Sequence, residues 1–209
     1  MEWKDHSKLK GSHALLGASQ NAWLRYTDEQ LFDRYVSSYS QALGTSLHEL
    51  AADLITEKIK LSKQDIHVVL HHLAKSKIPR NVFDMDFIYP NLRSYVNDAI
   101  GYRMDAEKIL YYSDNAYGTA DSICFRNNFL RVHDYKSGKG PVKMDQLYIY
   151  VALFCLEYNI KPGEIEIETR LYHANEIVTS NPTAEDILPI MDAIVMNDKF
   201  LSKVRAEGM

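Results

Sequence analysis

Two aspartates flank a β-rich hairpin, and their spacing could place both carboxylates at one site. Asn127-Asn128 separates two β-rich runs, and asparagine tolerates the left-handed backbone that a two-residue hairpin turn requires. Counting outward from that turn places Asp121 opposite Asp134 on neighbouring strands. Opposed side chains on paired strands lie about 5 Å apart, where like charges are destabilising. This pair therefore requires a proton, a cation or open water.

A divalent metal ion is the economical partner for two opposed carboxylates, because Mg²⁺ binds to a few carboxylates, waters and phosphate oxygens. Lys136 lies two residues beyond Asp134 and so shares its face of the strand, where an ammonium group can orient or deprotonate a water or hold a phosphate. Two other interpretations stay open. An Asp-x-Lys sequence also forms ordinary surface ion pairs, and a register shift of one residue would separate the two carboxylates.

The surrounding elements predict a mixed α/β domain. Apolar residues at a helical period predict a helix over Ser46–Leu61, and strict alternation predicts a half-exposed strand over Glu164–Tyr172. We also expect a buried helix over Met144–Tyr158, and a helical tail from Thr183 with Pro189 at a kink or boundary. The other predictions are helices over 29–40, 64–78 and 92–102, strands over 108–112, 119–125 and 129–136, and a loop over 81–91 containing Pro90.

Composition excludes several classes of protein. The chain has 209 residues, of which 46% are hydrophobic and 25% charged, which excludes a disordered or collagen-like chain. A net charge of −4 argues against a protein that coats nucleic acid, although residues 58–80 are locally basic. The first residues contain no apolar signal sequence, and the longest apolar run, Leu147–Leu156, is shorter than the ~20 residues that cross a membrane. We therefore expect a cytoplasmic protein with no membrane partner.

Four short motifs follow one another along the chain. They are Gly44–His48 (GTSLH), Gly118–Asp121 (GTAD), Asp134–Lys136 (DYK), and Gln146 with Tyr150. This series of GTxxH, GxxD, DxK and QxxxY resembles the PD-(D/E)XK nuclease superfamily, in particular its RecB-like and phage-exonuclease branch. The likeness covers most of residues 13–156. It implies an α/β fold with a restriction-endonuclease-like core, in which helices flank a central mixed β-sheet and the N-terminal part is mainly helical.

The resemblance also implies a metal site and a catalytic lysine. His48, Asp121 and Asp134 would bind Mg²⁺ or Mn²⁺ together with the backbone carbonyl of Tyr135. Lys136 would be the catalytic lysine, beside the two catalytic aspartates.

Further roles follow from the same resemblance and from the charge of the adjoining loop. Gln146 and Tyr150 would order the catalytic site or contact DNA, one helical turn apart. Lys139 and Lys143 lie on the loop after the DxK strand, where they could bind backbone phosphates. Glu49 and Glu107 are weaker ligand candidates, and a solvated helix face is expected for His67, His71 and His72.

The activity implied by the resemblance is metal-dependent DNA exonuclease activity in recombination, repair or DNA processing. Relatives that hold an iron–sulfur cluster use four cysteines, whereas this chain has only Cys124 and Cys155, so the likeness is to the cluster-free branch. Expected partners are double-stranded DNA ends or single strands, a second copy in a homo-oligomeric ring, and a recombination or replication protein. The expected setting is the cytoplasm of a bacterial or phage-infected cell.

Two alternatives to an exonuclease remain at this stage. One is a catalytically silent or partner-dependent nucleic-acid-binding module of the same fold, and the other is a structure-specific or restriction-type endonuclease. In each case we expect a single domain over residues 1–209. Residues 1–105 would be mainly helical, 106–172 would form the catalytic sheet with the QxxxY helix, and 173–209 would form C-terminal helices.

Overall fold

The fold is an α/β arrangement of six α-helices and five β-strands in the part of the chain that the computed structural model describes, residues 5–9, 14–18 and 21–207. Predictions for residues 1–4, 10–13, 19–20 and 208–209 lie outside it. Short 3₁₀ turns occupy Ser7–Leu9, Asn21–Arg25, Arg80–Val82 and Pro162–Glu164. In chain order the elements are α1 (Asp28–Ser38), α2 (Ser40–Thr56), α3 (Ile66–Lys75), α4 (Met85–Gly101), β1 (Asp105–Ser113), β2 (Ala116–Arg126), β3 (Phe129–Tyr135), α5 (Asp145–Tyr158), β4 (Glu166–His173), β5 (Glu176–Ser180) and α6 (Ala184–Glu207).

One mixed sheet contains all five strands in the order β1-β2-β3-β4-β5. Strands β1, β2 and β3 form an antiparallel meander, β4 runs parallel to β3, and β5 returns antiparallel to β4. Helix α5 connects β3 to β4, as expected because parallel neighbours need a crossover connection. The predicted mixed α/β sheet flanked by helices is confirmed.

Two apolar clusters pack against opposite faces of the sheet. Cys124, Tyr135 and Tyr172 belong to a cluster with α2, α3 and α4. Their neighbours Ile123 and Leu171 belong to the other cluster, with α5 and α6. Because side chains alternate between the faces of a strand, this division places the sheet between two helical layers.

The predicted register of the central hairpin is confirmed. Asn127 and Asn128 have φ of 52° and 58°, so both adopt the left-handed conformation of a type I′ turn. Arg126 pairs with Phe129, and the ladder continues in step to Ser122 opposite His133. The ladder ends at that pair, so Asp121 and Asp134, expected to lie opposite each other, are the next residues beyond it.

Two prolines lie within helices, where we expect a loop for Pro90 and a kink or boundary for Pro189. Residues 81–91 were expected to form a loop, but α4 begins at Met85, and Pro90 is its sixth residue. Pro189 likewise lies sixth in α6, which continues through it without a boundary. Each proline removes only one hydrogen bond close to a helix start, a loss that burial of neighbours such as Ile88 and Ile187 offsets.

The C-terminal region is not purely helical, because it contains β5. This strand is almost entirely exposed, so it lacks the alternation of apolar residues that predicts a half-buried strand. The turn before it consists of Ala174 and Asn175, with φ of 51° and 64°. Helix α2 also differs from prediction, since it begins at Ser40 rather than Ser46 and ends at Thr56.

Candidate metal and catalytic site

Helix α2 and strand β2 bring a histidine and an aspartate together. His48 Nδ1 lies 3.3 Å from Asp121 Oδ2, and both side chains are partly exposed. Burial lowers the pKa of His48, but the hydrogen bond and the charge of Asp121 together raise it above the ordinary value. The pair therefore places one imidazole nitrogen and one carboxylate at the same point of a cleft.

Asp121 also makes a side-chain hydrogen bond at the point where the ladder of β2 with β3 ends. Its Oδ2 accepts a 3.0 Å hydrogen bond from the backbone N–H of Tyr135, beyond the last pair of that ladder, Ser122 with His133. Its other oxygen, Oδ1, accepts no hydrogen bond in the described part of the chain. Asp121 therefore has one structural oxygen and one that can bind a ligand.

Asp134 lies on β3 and forms an ion pair with Lys136, which directly follows the end of β3. The Asp134 side chain is only 1% exposed. Lys136 Nζ donates a 3.0 Å hydrogen bond to Asp134 Oδ1 and contacts Oδ2 at 2.9 Å. Burial and the charge of Asp121 raise the pKa of Asp134 to about 6, although Lys136 opposes this shift. The effect of the Asp121 charge on the pKa of Asp134 agrees with the expected proximity of the two aspartates.

A chain of hydrogen bonds connects this ion pair to helix α5. Lys136 Nζ donates to Gln146 Oε1 at 2.9 Å, and Gln146 Nε2 donates to the Tyr150 hydroxyl at 2.9 Å. Gln146 and Tyr150 are one helical turn apart, which allows both to face β3. The structure therefore places these two residues where they orient the lysine, while their predicted contact with DNA stays a prediction.

Gly118, the first residue of the GxxD motif, lies directly beneath the Tyr150 ring. A Cβ at this position would lie 3.0 Å from Tyr150 Cε1, closer than packed carbons allow. We expect Gly118→Ala to push the ring away from the sheet and to destabilise the fold by about 1 kcal/mol. Urea denaturation measures the effect, and Gly101→Ala is the control because a Cβ there would meet nothing within 4 Å. Equal stability of the two variants would contradict this packing role.

Glu107, a weaker ligand candidate in the sequence, lies close to the pair formed by His48 and Asp121. It lies opposite Asp121, because Ala106 pairs with Ser122 and Lys108 pairs with Ala120. One ring nitrogen of His48 and one carboxylate oxygen from each of Glu107 and Asp121 all lie within 4.8 Å of one another. The sequence signal that could have found it is this register on β1, which requires the β1–β2 turn to be known.

The cleft around these residues has a volume of about 770 Å³. His48, Glu107, Asp121, Lys136 and Gln146 line it. Glu49 and Asp53 of α2 and His72 of α3 also reach it. His67 and His71 are exposed as expected, but the solvated position predicted for His72 is wrong, because its Nε2 is enclosed.

Of the two predicted phosphate-binding lysines, only Lys143 lies next to this cleft in the described part of the chain. Lys143 lines a neighbouring cleft of about 480 Å³ that shares Lys136 and Gln146 with the first. Lys139 Nζ instead lies 5.4 Å from the centroid of the Phe87 ring, a cation–π contact. Tyr135 follows Asp134 in the chain and its backbone N–H donates to Asp121, while the role of its carbonyl as a metal ligand stays a prediction.

The donor atoms of the site suit a divalent cation. Carboxylate oxygens are the preferred ligands of Mg²⁺ and Mn²⁺, and an imidazole nitrogen is accepted by Mn²⁺ and later transition metals. Asp121 offers an open oxygen to such an ion, and the buried Asp134 lies behind it. The residues present therefore fit a metal ion at Asp121.

The matched protein family spans this whole site. Residues 13–157 match the family described as "Protein of unknown function (DUF2800)". The chain belongs to this family. The DUF2800 match contains α1 to β3 and nearly all of α5, and it leaves out β4, β5 and α6. No curated protein and no solved structure matches the chain. None of the described helices combines the length and the apolar character that crossing a membrane requires.

Proposed function

We propose that this protein is a metal-dependent deoxyribonuclease with a PD-(D/E)XK core, and that it hydrolyses DNA from strand ends. The observation that carries this proposal is that Asp121, Asp134 and Lys136 meet where the ladder of β2 with β3 ends. His48 approaches from α2 and the Lys136–Gln146–Tyr150 chain comes from α5. A binding module needs no such combination of coupled carboxylates and a held lysine.

The sheet order gives independent support to the proposed core. An antiparallel meander of three strands is followed by a crossover helix and a strand parallel to the third. This order brings the DxK strand to the centre of the sheet with the GxxD strand beside it. The N-terminal helices then cover the face from which His48 reaches the site.

In the proposed hydrolysis of a phosphodiester bond, the side chains of the site have separate roles. A bound divalent cation would supply charge stabilisation at phosphate oxygens and lower the pKa of a coordinated water. His48, Asp121 and Asp134 would hold that ion, with the Tyr135 carbonyl. Lys136 has three N–H donors, of which Asp134 and Gln146 accept two, and the third is available to orient the attacking water. Lys139 and Lys143 would bind the DNA backbone on the far side of Lys136.

The proposal is tested by incubating linear double-stranded and single-stranded DNA with the protein in Mg²⁺, Mn²⁺ or EDTA. We expect degradation with the metals and none with EDTA. Linear substrates should be degraded while covalently closed circles survive, because an exonuclease needs an end. Cleavage of circles would indicate the endonuclease alternative, and binding without cleavage in either metal would indicate the binding module.

Replacement of the lysine tests its role separately. Lys136→Met should lower the rate of cleavage by about 10²- to 10³-fold, because it removes the group that orients the water. The matched control is Lys203→Met, which removes an exposed lysine of α6 that pairs with Glu207. Unchanged activity of Lys136→Met would reject the assignment. The ring assembly and the recombination or replication partner stay predictions, measured by light scattering and by co-purification.

A further inference from the structure

Glu107 has an unusual backbone for a residue in a β-strand. Its φ is 50°, in the left-handed region that residues other than glycine rarely adopt, and it is the third residue of β1. Its neighbours Ala106 and Lys108 keep their register with β2 on either side. The kink is therefore confined to this residue and sets the direction of one carboxylate.

That carboxylate joins His48 and Asp121 as a compact donor set. The three donor atoms lie within 4.8 Å of one another. Ligands about 2.1 Å from an octahedral ion are about 3 Å apart when adjacent and about 4.2 Å apart when opposite. Small side-chain rotations therefore suffice to bring all three onto one ion. Among residues 5–9, 14–18 and 21–207, none donates a hydrogen bond to the Glu107 carboxylate, and His48 is the cation whose charge acts on it.

The charge of the cleft also requires cations. Glu49, Asp53, Glu107 and Asp121 line it, against Lys136 as the positively charged residue among its lining side chains. An anionic substrate would be repelled from such a cleft unless bound cations neutralised it.

A second observation points to a ligand in the same place. His72 lines the cleft from α3, and its Nε2 is shielded from solvent without a hydrogen-bond partner in the described part of the chain. Enclosed ring nitrogens usually have a partner, so a polar group bound in the cleft would satisfy this atom.

We propose that Glu107 is a ligand of a divalent cation held by His48, Glu107 and Asp121. Asp121 then binds this ion on the side of Glu107, and it also takes part in the predicted metal site at Asp134. One nitrogen and two carboxylates favour Mn²⁺ over Mg²⁺, because Mg²⁺ prefers an all-oxygen shell. The proposal deepens the proposed function and rests on it for the reaction that the ion serves, but binding of the ion is measurable without DNA.

The test is a titration of the full-length protein with Mn²⁺ alone, in which electron paramagnetic resonance reports the free ion. We expect Glu107→Gln to weaken Mn²⁺ binding at the tightest site by at least ~10-fold. The matched control is Asp53→Asn, which removes the same charge from the same cleft outside the donor set and should change the affinity less than twofold. Equal weakening by both variants would show a general charge effect and overturn the proposal.

A second variant, Glu107→Gly, distinguishes the loss of a metal ligand from the loss of the fold. Glycine adopts the left-handed backbone freely, so this variant should melt no lower than the wild type and still lose the Mn²⁺ site. If it binds Mn²⁺ as the wild type does, or if the wild type binds none, Glu107 is not a ligand. If Glu107→Gln loses Mn²⁺ while the wild type cleaves no DNA, the ligand assignment stands and the proposed function fails.

Discussion

Asp134→Asn is expected to lower the rate of metal-dependent DNA cleavage by about 10³-fold while making the fold more stable. Asparagine has nearly the same shape but cannot neutralise a cation or hold Lys136 as an ion pair. The stability should rise because the wild-type carboxylate is 1% exposed and close to Asp121. Its raised pKa means that ionisation at neutral pH opposes folding, and the amide removes that cost.

Two measurements together check this prediction. Cleavage of linear DNA in Mn²⁺ reports activity, and urea denaturation in EDTA at pH 7 reports stability. Lys136 tolerates the change because it is one-third exposed and keeps its bond to Gln146. The control is Asp192→Asn, at an exposed position of α6, which should alter neither quantity. A variant that loses stability together with activity would indicate that Asp134 is a structural residue.

The second large effect concerns pH and the buried His133. This residue is fully buried, and burial together with Arg170 and Arg131 lowers its pKa to about 3. In the unfolded chain the pKa is 6.5, so the unfolded state takes up a proton first as the pH falls. The stabilisation is complete above pH 6.5 and is lost progressively down to about pH 3. Between pH 7 and pH 5 the loss amounts to about 2 kcal/mol.

The packing around His133 explains why it stays neutral. Its Nδ1 lies 3.3 Å from the Tyr172 hydroxyl, which donates to Asp98. Its Nε2 lies 3.9 Å from Glu168 and makes no hydrogen bond, because Glu168 binds the two arginines. The titratable and charged groups that face the ring are Asp98, Tyr102, Arg131, Glu168, Arg170 and Tyr172.

Urea denaturation at pH 7, 6 and 5 tests this pH dependence. His133→Phe keeps a planar ring between Tyr102 and Tyr172 and removes the titrating group. Its stability should fall less steeply towards pH 5 than that of the wild type, by about 2 kcal/mol over this range. The same substitution at the exposed His71 should leave the slope unchanged. Parallel slopes for wild type and His133→Phe would show that His133 does not cause the acid sensitivity.

The central hairpin could be predicted because its information is local. Asn127 and Asn128 specify a turn, and the turn determines every pair out to Ser122 with His133. Ala174 and Asn175 form a turn with the same left-handed backbone, but β5 after them has no buried face that a sequence pattern could reveal. Pro90 misled the prediction because tertiary burial of Leu92 and Tyr95 outweighed a local breaker.

The arrangement within the site depended more on tertiary structure. The sequence shows the four motifs in order. The contact of His48 with Asp121 and the hydrogen bond of Lys136 with Gln146 both join residues of these motifs. The position of Glu107 depends on one left-handed residue in a strand, which no local pattern of that glutamate indicates. The enclosure of His72 depends on how α3 packs beside α2, a long-range contact that periodicity cannot specify.

The two contacts of Asp121 Oδ2 have a consequence for how the proposed activity can be inferred from sequence. Its Oδ2 replaces a missing backbone acceptor for the Tyr135 N–H, so its removal would leave a buried donor unsatisfied. Asp134 and Lys136 satisfy no backbone group with their side chains. Descendants released from selection for catalysis are therefore expected to vary first at positions 134 and 136 and to keep an acceptor at 121. An aspartate at that position alone is thus poor evidence of an active enzyme.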